Sequence, residues 1–177
     1  MHRPCLNALR AEASDNLNLI QTVNPWLGDG WQIYNEYFQW SPTHNQNSDS
    51  INVSPGDELH GVMTFNENNQ SYTMLHTDVT TGQSVGMEIP VQKKGGEYKN
   101  YTIVYIVYEK VQSCAAFPPD NVVQFYDILV EYDGVAVKPS WSTGVVDAAC
   151  DMKAQIVNST TVAISWNSAA TTQIASS

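Results

Sequence analysis

The feature that most constrains this chain is its punctuation. From residue 17 to residue 166, short runs rich in Val, Ile, Thr and aromatic residues alternate with clusters of Gly, Pro, Asn and Asp. "LNLIQTV" leads into the turn "NPWLGDG" and then into "WQIYNEYFQW". "INVSPGDELHGVMTF" reads as two strands around Pro-Gly-Asp, and "QSYTMLHTDVTTGQSVGMEIPV" as two strands around "TTGQ". "YTIVYIVYEKV" reads as the longest strand, its near-continuous β-branched and aromatic character implying burial on both faces. "VVQFYDILVEY", "VAVKP", "KAQIV" and "TTVAISW" complete the set. Period-2 patterning with turn residues between runs is the signature of strands, and many such strands point to an antiparallel β-sandwich. Only residues 5–13, "CLNALRAEA", offer a helix, which is marginal at that length without tertiary support. The chain of 177 residues suits one domain with a sizeable core. The expected organisation is a leading segment over 1–16, a single β-sandwich over 17–167 and a flexible tail over 168–177.

The formal net charge of −10 argues against nucleic acid and anionic membranes as partners. No apolar run approaches the roughly 20 residues that span a bilayer. The start, "MHRPCLNALRAEAS", lacks the apolar core of a signal peptide. Even so, sequons at Asn52, Asn69, Asn100 and Asn158 make these asparagines glycosylation candidates. They point to a secreted ancestry, with this N-terminus truncated or replaced. Three cysteines permit at most one internal disulfide, for which Cys114 and Cys150 are the candidates, with Cys5 left over.

Most motif-level chemistry is excluded. "GQSVG", residues 82–86, fits the G-x-S-x-G nucleophile elbow, but that elbow needs a following helix, and "MEIPVQKKGG" is extended and proline-broken. His2, His44, His60 and His76 lack ligand spacing and no C-x-x-C occurs, so no metal site and no cofactor are expected. Carboxylates on strands remain. Glu109 closes the run "TIVYIVYE", in phase with Ile103, Tyr105 and Val107. A carboxyl on such a face is desolvated and able to keep or trade a proton, unless the strand simply emerges into solvent there. Alternation over residues 31–40 puts Tyr34, Glu36, Phe38 and Trp40 on one face and Trp31, Ile33 and Tyr37 on the other. Glu36 is then either a working acid or the partner of a tyrosine hydroxyl. Gln21 neither titrates nor attacks, so it is structural or it holds something polar that a second residue activates.

Read together, these blocks resemble the fungal glutamic peptidases (eqolisins). "LIQTVNPWLGDGWQIYNEYFQW" is similar to that family's glutamine strand, its Trp-x-Gly-Asp-Gly turn and its aromatic-Glu-aromatic strand. "VSPGDELHGVM", "LHTDVTTGQSV", "YIVYEKV" and "STTVAISW" follow in the family's order, so the similarity runs from about residue 17 to residue 166. The resemblance implies a concanavalin A-like (lectin/glucanase-type) sandwich of two bent antiparallel sheets. It also implies catalysis by Gln21 and Glu109 on neighbouring strands, and a peptide groove formed by Glu36, Trp26, Trp31, Tyr34 and Phe38. Large aromatics on strands are also ordinary core residues. "MHRPCLNALRAEASDN" does not match, and Tyr105 stands where the family carries an acid, so the chain reads as an N-terminally truncated or divergent member. The implied function is an acid-acting endopeptidase, secreted, whose partner is a polypeptide substrate. The alternative is an inactive lectin-like module binding glycan or peptide. A missing front segment would also leave a sheet edge open to self-association.

Overall fold

The computed structural model describes residues 8–11, 18–40, 42–94, 96–98, 101, 103–109, 113–145 and 149–170. Apart from two three-residue 3₁₀ turns, every regular element among them is a strand, and the strands pair antiparallel. The all-β antiparallel sandwich expected from the sequence is the observed fold class. The chain divides into two compact units, Met1–Glu109 and Lys110–Ser177.

The first unit holds β1 (Ala8–Ala11), β2 (Asn18–Val23), β3 (Trp31–Trp40), β4 (Thr43–Asn47), β5 (Ile51–Val53), β6 (Leu59–Asn66), β7 (Ser71–Asp78), β8 (Gln83–Pro90), β9 (Lys93–Lys94), β10 (Glu97–Tyr98) and β11 (Ile103–Tyr105). One sheet runs in the order β11-β1-β2-β3-β4, with β5 also pairing to the start of β3. A second runs β6-β7-β8 and covers one of its faces. The alternation of β2 and β3 explains the layering, because Ile20, Ile33 and Tyr37 all turn toward the second sheet. There Ile20 and Tyr37 pack with Met74 and Ile89, and Ile33 with Val53 and Val85. Packing is tight enough that a Cβ on Gly61 of β6 would stand 2.5 Å from Thr22 Oγ1. A glycine is therefore needed where the two sheets approach.

Two elements differ from expectation. The nine-residue helix pattern over residues 5–13 yields a strand at Ala8–Ala11; the remainder of that stretch lies outside the described residues. β1 has ladder partners on both sides, Gln21 across from Ala8 on β2 and Tyr105 across from it on β11. Those hydrogen bonds outweigh a helix too short to be stable alone. "YTIVYIVYEKV" is also overread. Its strand spans only Ile103–Tyr105, residues 103–109 are all partly exposed, and the longest strand is the ten-residue β3. Among the described residues β11 is the last strand of its sheet, and β1, its neighbour there, pairs with Ile103–Tyr105 and not with residues 106–109. "GQSVG" enters β8 directly, with Ser84 paired to Thr77, so it forms no elbow.

The second unit holds β12 (Val122–Phe125), β13 (Val130–Tyr132), β14 (Val135–Val137), β15 (Lys153–Asn158) and β16 (Thr161–Ser165). β12-β16-β15 form a sheet, and β13-β14 a separate hairpin around Asp133-Gly134. A Cys114–Cys150 disulfide ties this unit together. Trp166 stacks on Phe117 at 6.0 Å and donates its indole N–H to the Pro118 carbonyl oxygen.

Candidate active site

The site is built on the face of β2 and β3 that points away from the second sheet. Strand register puts Gln21 directly across from Glu36, and residues opposite each other on antiparallel strands share a face. The amide Nε2 of Gln21 donates to Glu36 Oε2 at 2.5 Å. The other carboxylate oxygen, Oε1, accepts from Asn45 Nδ2 of β4 at 2.7 Å. Gln21 is 3% exposed and Glu36 9%. A carboxylate so enclosed requires donors, and here two amides on the flanking strands supply them. A hydrogen bond of this kind contributes about 0.5–1.5 kcal/mol net, and two of them on one carboxyl hold its orientation.

The turn before β3 sets the start of this face. Leu27 N–H donates to Gly30 O at 2.9 Å, and Gln32 N–H to Pro25 O at 3.1 Å. Gly28 sits at φ +103°, a region open to glycine. Trp26 and Trp31 bridge across the turn with rings 5.2 Å apart. Trp31 packs beside Ile33 and Val53, on the inter-sheet side and away from Glu36. Tyr34, 3% exposed, packs on Val23 on the Glu36 face, and Phe38 follows on the same face, partly exposed. A cavity of about 320 Å³ opens alongside, lined by Pro25, Leu27, Gln32, Tyr34 and Asn47 among others. Asn47 is the cross-strand partner of Glu36, but neither Gln21 nor Glu36 itself lines this cavity.

The structure thus brings Gln21, Glu36, Tyr34 and Phe38 to one face and turns Trp31 to the other. Glu109 lies four residues beyond the end of β11, partly buried. β1 stands between β2 and β11, so the expectation that the strands of Gln21 and Glu109 are neighbours is corrected. The leading segment, where the sequence offered a helix over residues 5–13, supplies the intervening strand. One site residue, Asn45, was missed. Its strand "THNQN" carries no apolar alternation, and only pairing with β3 reveals it.

Among the described residues no group of three or more His, Cys, Asp or Glu could hold a metal ion. His76, buried on β7, has its Nδ1 3.4 Å from the Tyr34 carbonyl oxygen. Burial pushes its pKa down to about 4, with the charge of His60 adding to the shift and the Tyr34 carbonyl opposing it. It is a neutral structural group between the sheets. Of the sequon asparagines, Asn52 accepts from Gln32 Nε2 and Asn69 donates to Glu88; Asn158 Oδ1 accepts from the N–H and hydroxyl of Thr160. Asn100 lies outside the described residues.

Comparison with known proteins gives three findings. The model of the peptidase A4 family matches residues 13–173. Scytalidopepsin B of Scytalidium lignicola is 26% identical over 162 residues, covering 84% of this chain and 60% of that relative. The chain therefore spans about 60% of the length of this relative. The crystal structure of aspergilloglutamic peptidase from Aspergillus niger superposes with a TM-score of 0.61 at 17% identity, covering 93% of this chain and 99% of that one. That likeness is one of fold.

Proposed function

The chain belongs to the peptidase A4 family, the glutamic peptidases, and from that premise we propose that it is an acid-acting endopeptidase using Gln21 and Glu109. Glu109 takes a proton from a water molecule as the water oxygen attacks the scissile carbonyl carbon. Gln21 orients that water and donates an amide N–H to the oxyanion that develops. Glu109 then returns the proton to the leaving amine as the C–N bond breaks. A glutamine suits this role because it stays neutral at the low pH where the carboxyl must cycle. The observation that carries the reading is the Gln21–Glu36 bond, in a chain matched to the family almost end to end. A buried carboxylate fixes the amide so that its orientation is set before substrate arrives, as electrostatic preorganisation requires.

The substrate is a polypeptide, lying along the face that carries Glu36, Tyr34 and Phe38, with the Trp26 and Trp31 turn at one end. We retain a single sandwich domain over 17–167, which the family match across residues 13–173 supports. Secretion and glycan attachment belong to the same proposal, and the Cys114–Cys150 disulfide supports an oxidising compartment. Digestion of casein at acidic pH, in the presence of pepstatin, tests the activity. Cleavage by the wild type and its loss in Glu109→Gln are the expected results, and cleavage retained in Glu109→Gln refutes the assignment.

The burial of Gln21 favours a second reading, in which the sandwich is inactive and binds glycan or peptide on this face. Binding to a glycan array without proteolysis would select it.

A further inference from the structure

We propose that Asn45 is a positioning residue that fixes the amide of Gln21 through the carboxylate of Glu36. The proposal deepens the peptidase reading and rests on it. Its basis is the way the two donors reach Glu36. Gln21 addresses Oε2 from β2, directly opposite, and Asn45 addresses Oε1 from β4, on the other flank of β3. Asn45 pairs in register with Phe38, so it meets Glu36 diagonally.

The terminal torsion of a glutamate is soft, with broad wells. One donor alone leaves the carboxylate plane able to swing; donors on two separate strands hold it. The held carboxylate then decides which end of the Gln21 amide it meets. Oε2 of Glu36 accepts from Gln21, so it selects the Nε2 end of the amide and rejects Oε1. Reversal of that amide would turn a carbonyl oxygen where the oxyanion requires an N–H. Asn45 thus sets, at one remove, whether donor or acceptor faces the reacting carbonyl.

The position of Asn45 separates this role from a structural one. β4 lies at the end of the sheet order, and all five of its side chains are exposed. Its side chain packs into no core, so what it adds to stability comes through one hydrogen bond. What Asn45 does contribute is a 2.7 Å bond to an acid that is itself 9% exposed.

Asn45→Ala removes the donor, Asn45→Asp replaces it with an acceptor of the same size, and Asn45→Gln restores an amide. In steady-state cleavage at acidic pH, kcat is expected to fall about 10- to 100-fold in the first two, the scale of a misplaced catalytic group, with KM held within about twofold. Asn45→Gln recovers part of that loss, and cleavage is read well below each variant's thermal midpoint, so the stability lost with one hydrogen bond does not enter kcat. A readout independent of turnover follows the Gln21 side-chain amide by ¹H–¹⁵N NMR, its signals identified by their absence in Gln21→Leu. Asn45→Ala is expected to shift and broaden them, in the Glu109→Gln background as well. An unmoved Gln21 amide, or an unchanged kcat in an active enzyme, overturns the proposal. A wild type without any peptidase activity whose amide signals still respond to Asn45 refutes the catalytic reading and leaves the relay standing.

Discussion

The two faces of β3 bury polar side chains in different ways. On the inner face Asn35 is fully buried and donates to the Val85 carbonyl oxygen at 3.0 Å, while His76 approaches the Tyr34 carbonyl. These two contacts join one layer to the other through backbone atoms, while on the same inner face Asn18 Nδ2 donates to the Tyr37 hydroxyl and that hydroxyl donates to Gln39 Oε1 within the sheet. On the outer face Gln21, Glu36 and Asn45 meet one another through side chains, within a single sheet. Backbone partners are fixed by the fold and make a polar group structural. Side-chain partners are chosen residue by residue, and the outer row differs from the inner Asn18–Tyr37–Gln39 row in holding a carboxyl between two amides across three strands. That held carboxyl is the ground on which the proposed chemistry is assigned to the outer face, and the inter-sheet contacts the ground for assigning stability to the inner one.

Substitutions on each face should therefore break different properties. The largest effect is expected from Gln21→Leu. Loss of one oxyanion donor costs about 10²–10³ in kcat, roughly 3–4 kcal/mol of barrier, measured as steady-state peptide cleavage. A fall in stability with no specific loss of kcat would move Gln21 into the structural class.

Next comes the pH dependence imposed by His76. Its folded-state pKa of about 4 lies below the usual 6.5, so the native state binds fewer protons than the unfolded chain between these values. Stability is fully present above about pH 6.5, falls as pH drops toward 4, and levels off below, with a loss of order 3 kcal/mol. His76→Gln should flatten that slope in urea titrations run from pH 4 to pH 7, leaving other groups to set the residual. An unchanged slope would deny His76 its place in the inter-sheet layer.

The smallest effect tests the inner packing. Gly61→Ala places a methyl against Thr22 Oγ1 and should cost about 1–3 kcal/mol through overpacking. Thr22→Ala in the same chain removes the clash and should return part of that loss. Both changes are read as thermal midpoints, and absence of rescue would show that the sheets are spaced more loosely than described.

Much of this was legible because β2 and β3 carry strong local signals. Ile20 and Thr22 alternate with Gln21, Gly28 marks the turn, and Tyr34, Glu36 and Phe38 share one phase. Strand period and turn chemistry agree there, and the structure follows them. β1 was hidden because "ALRA" has helix-forming residues, and only the strands on either side make it extended. β4 was hidden because "THNQN" is polar throughout, as an exposed end strand can be. "YTIVYIVYE" misled in the opposite direction, since β propensity measures fit to neighbours and this run has few of them. Asn45 could be found only after the register was known, because nothing local distinguishes it from His44 or Gln46.

The central claim is that the Gln21 amide and the Glu109 carboxyl act on one water. A crystal structure grown at acidic pH tests it most directly, by the heavy-atom distances from an ordered water to these two side chains. The account expects one water within hydrogen-bond reach of both, about 3 Å from each. A Gln21 amide enclosed by protein atoms with no water beside it, and a Glu109 carboxyl turned to bulk solvent, would contradict it.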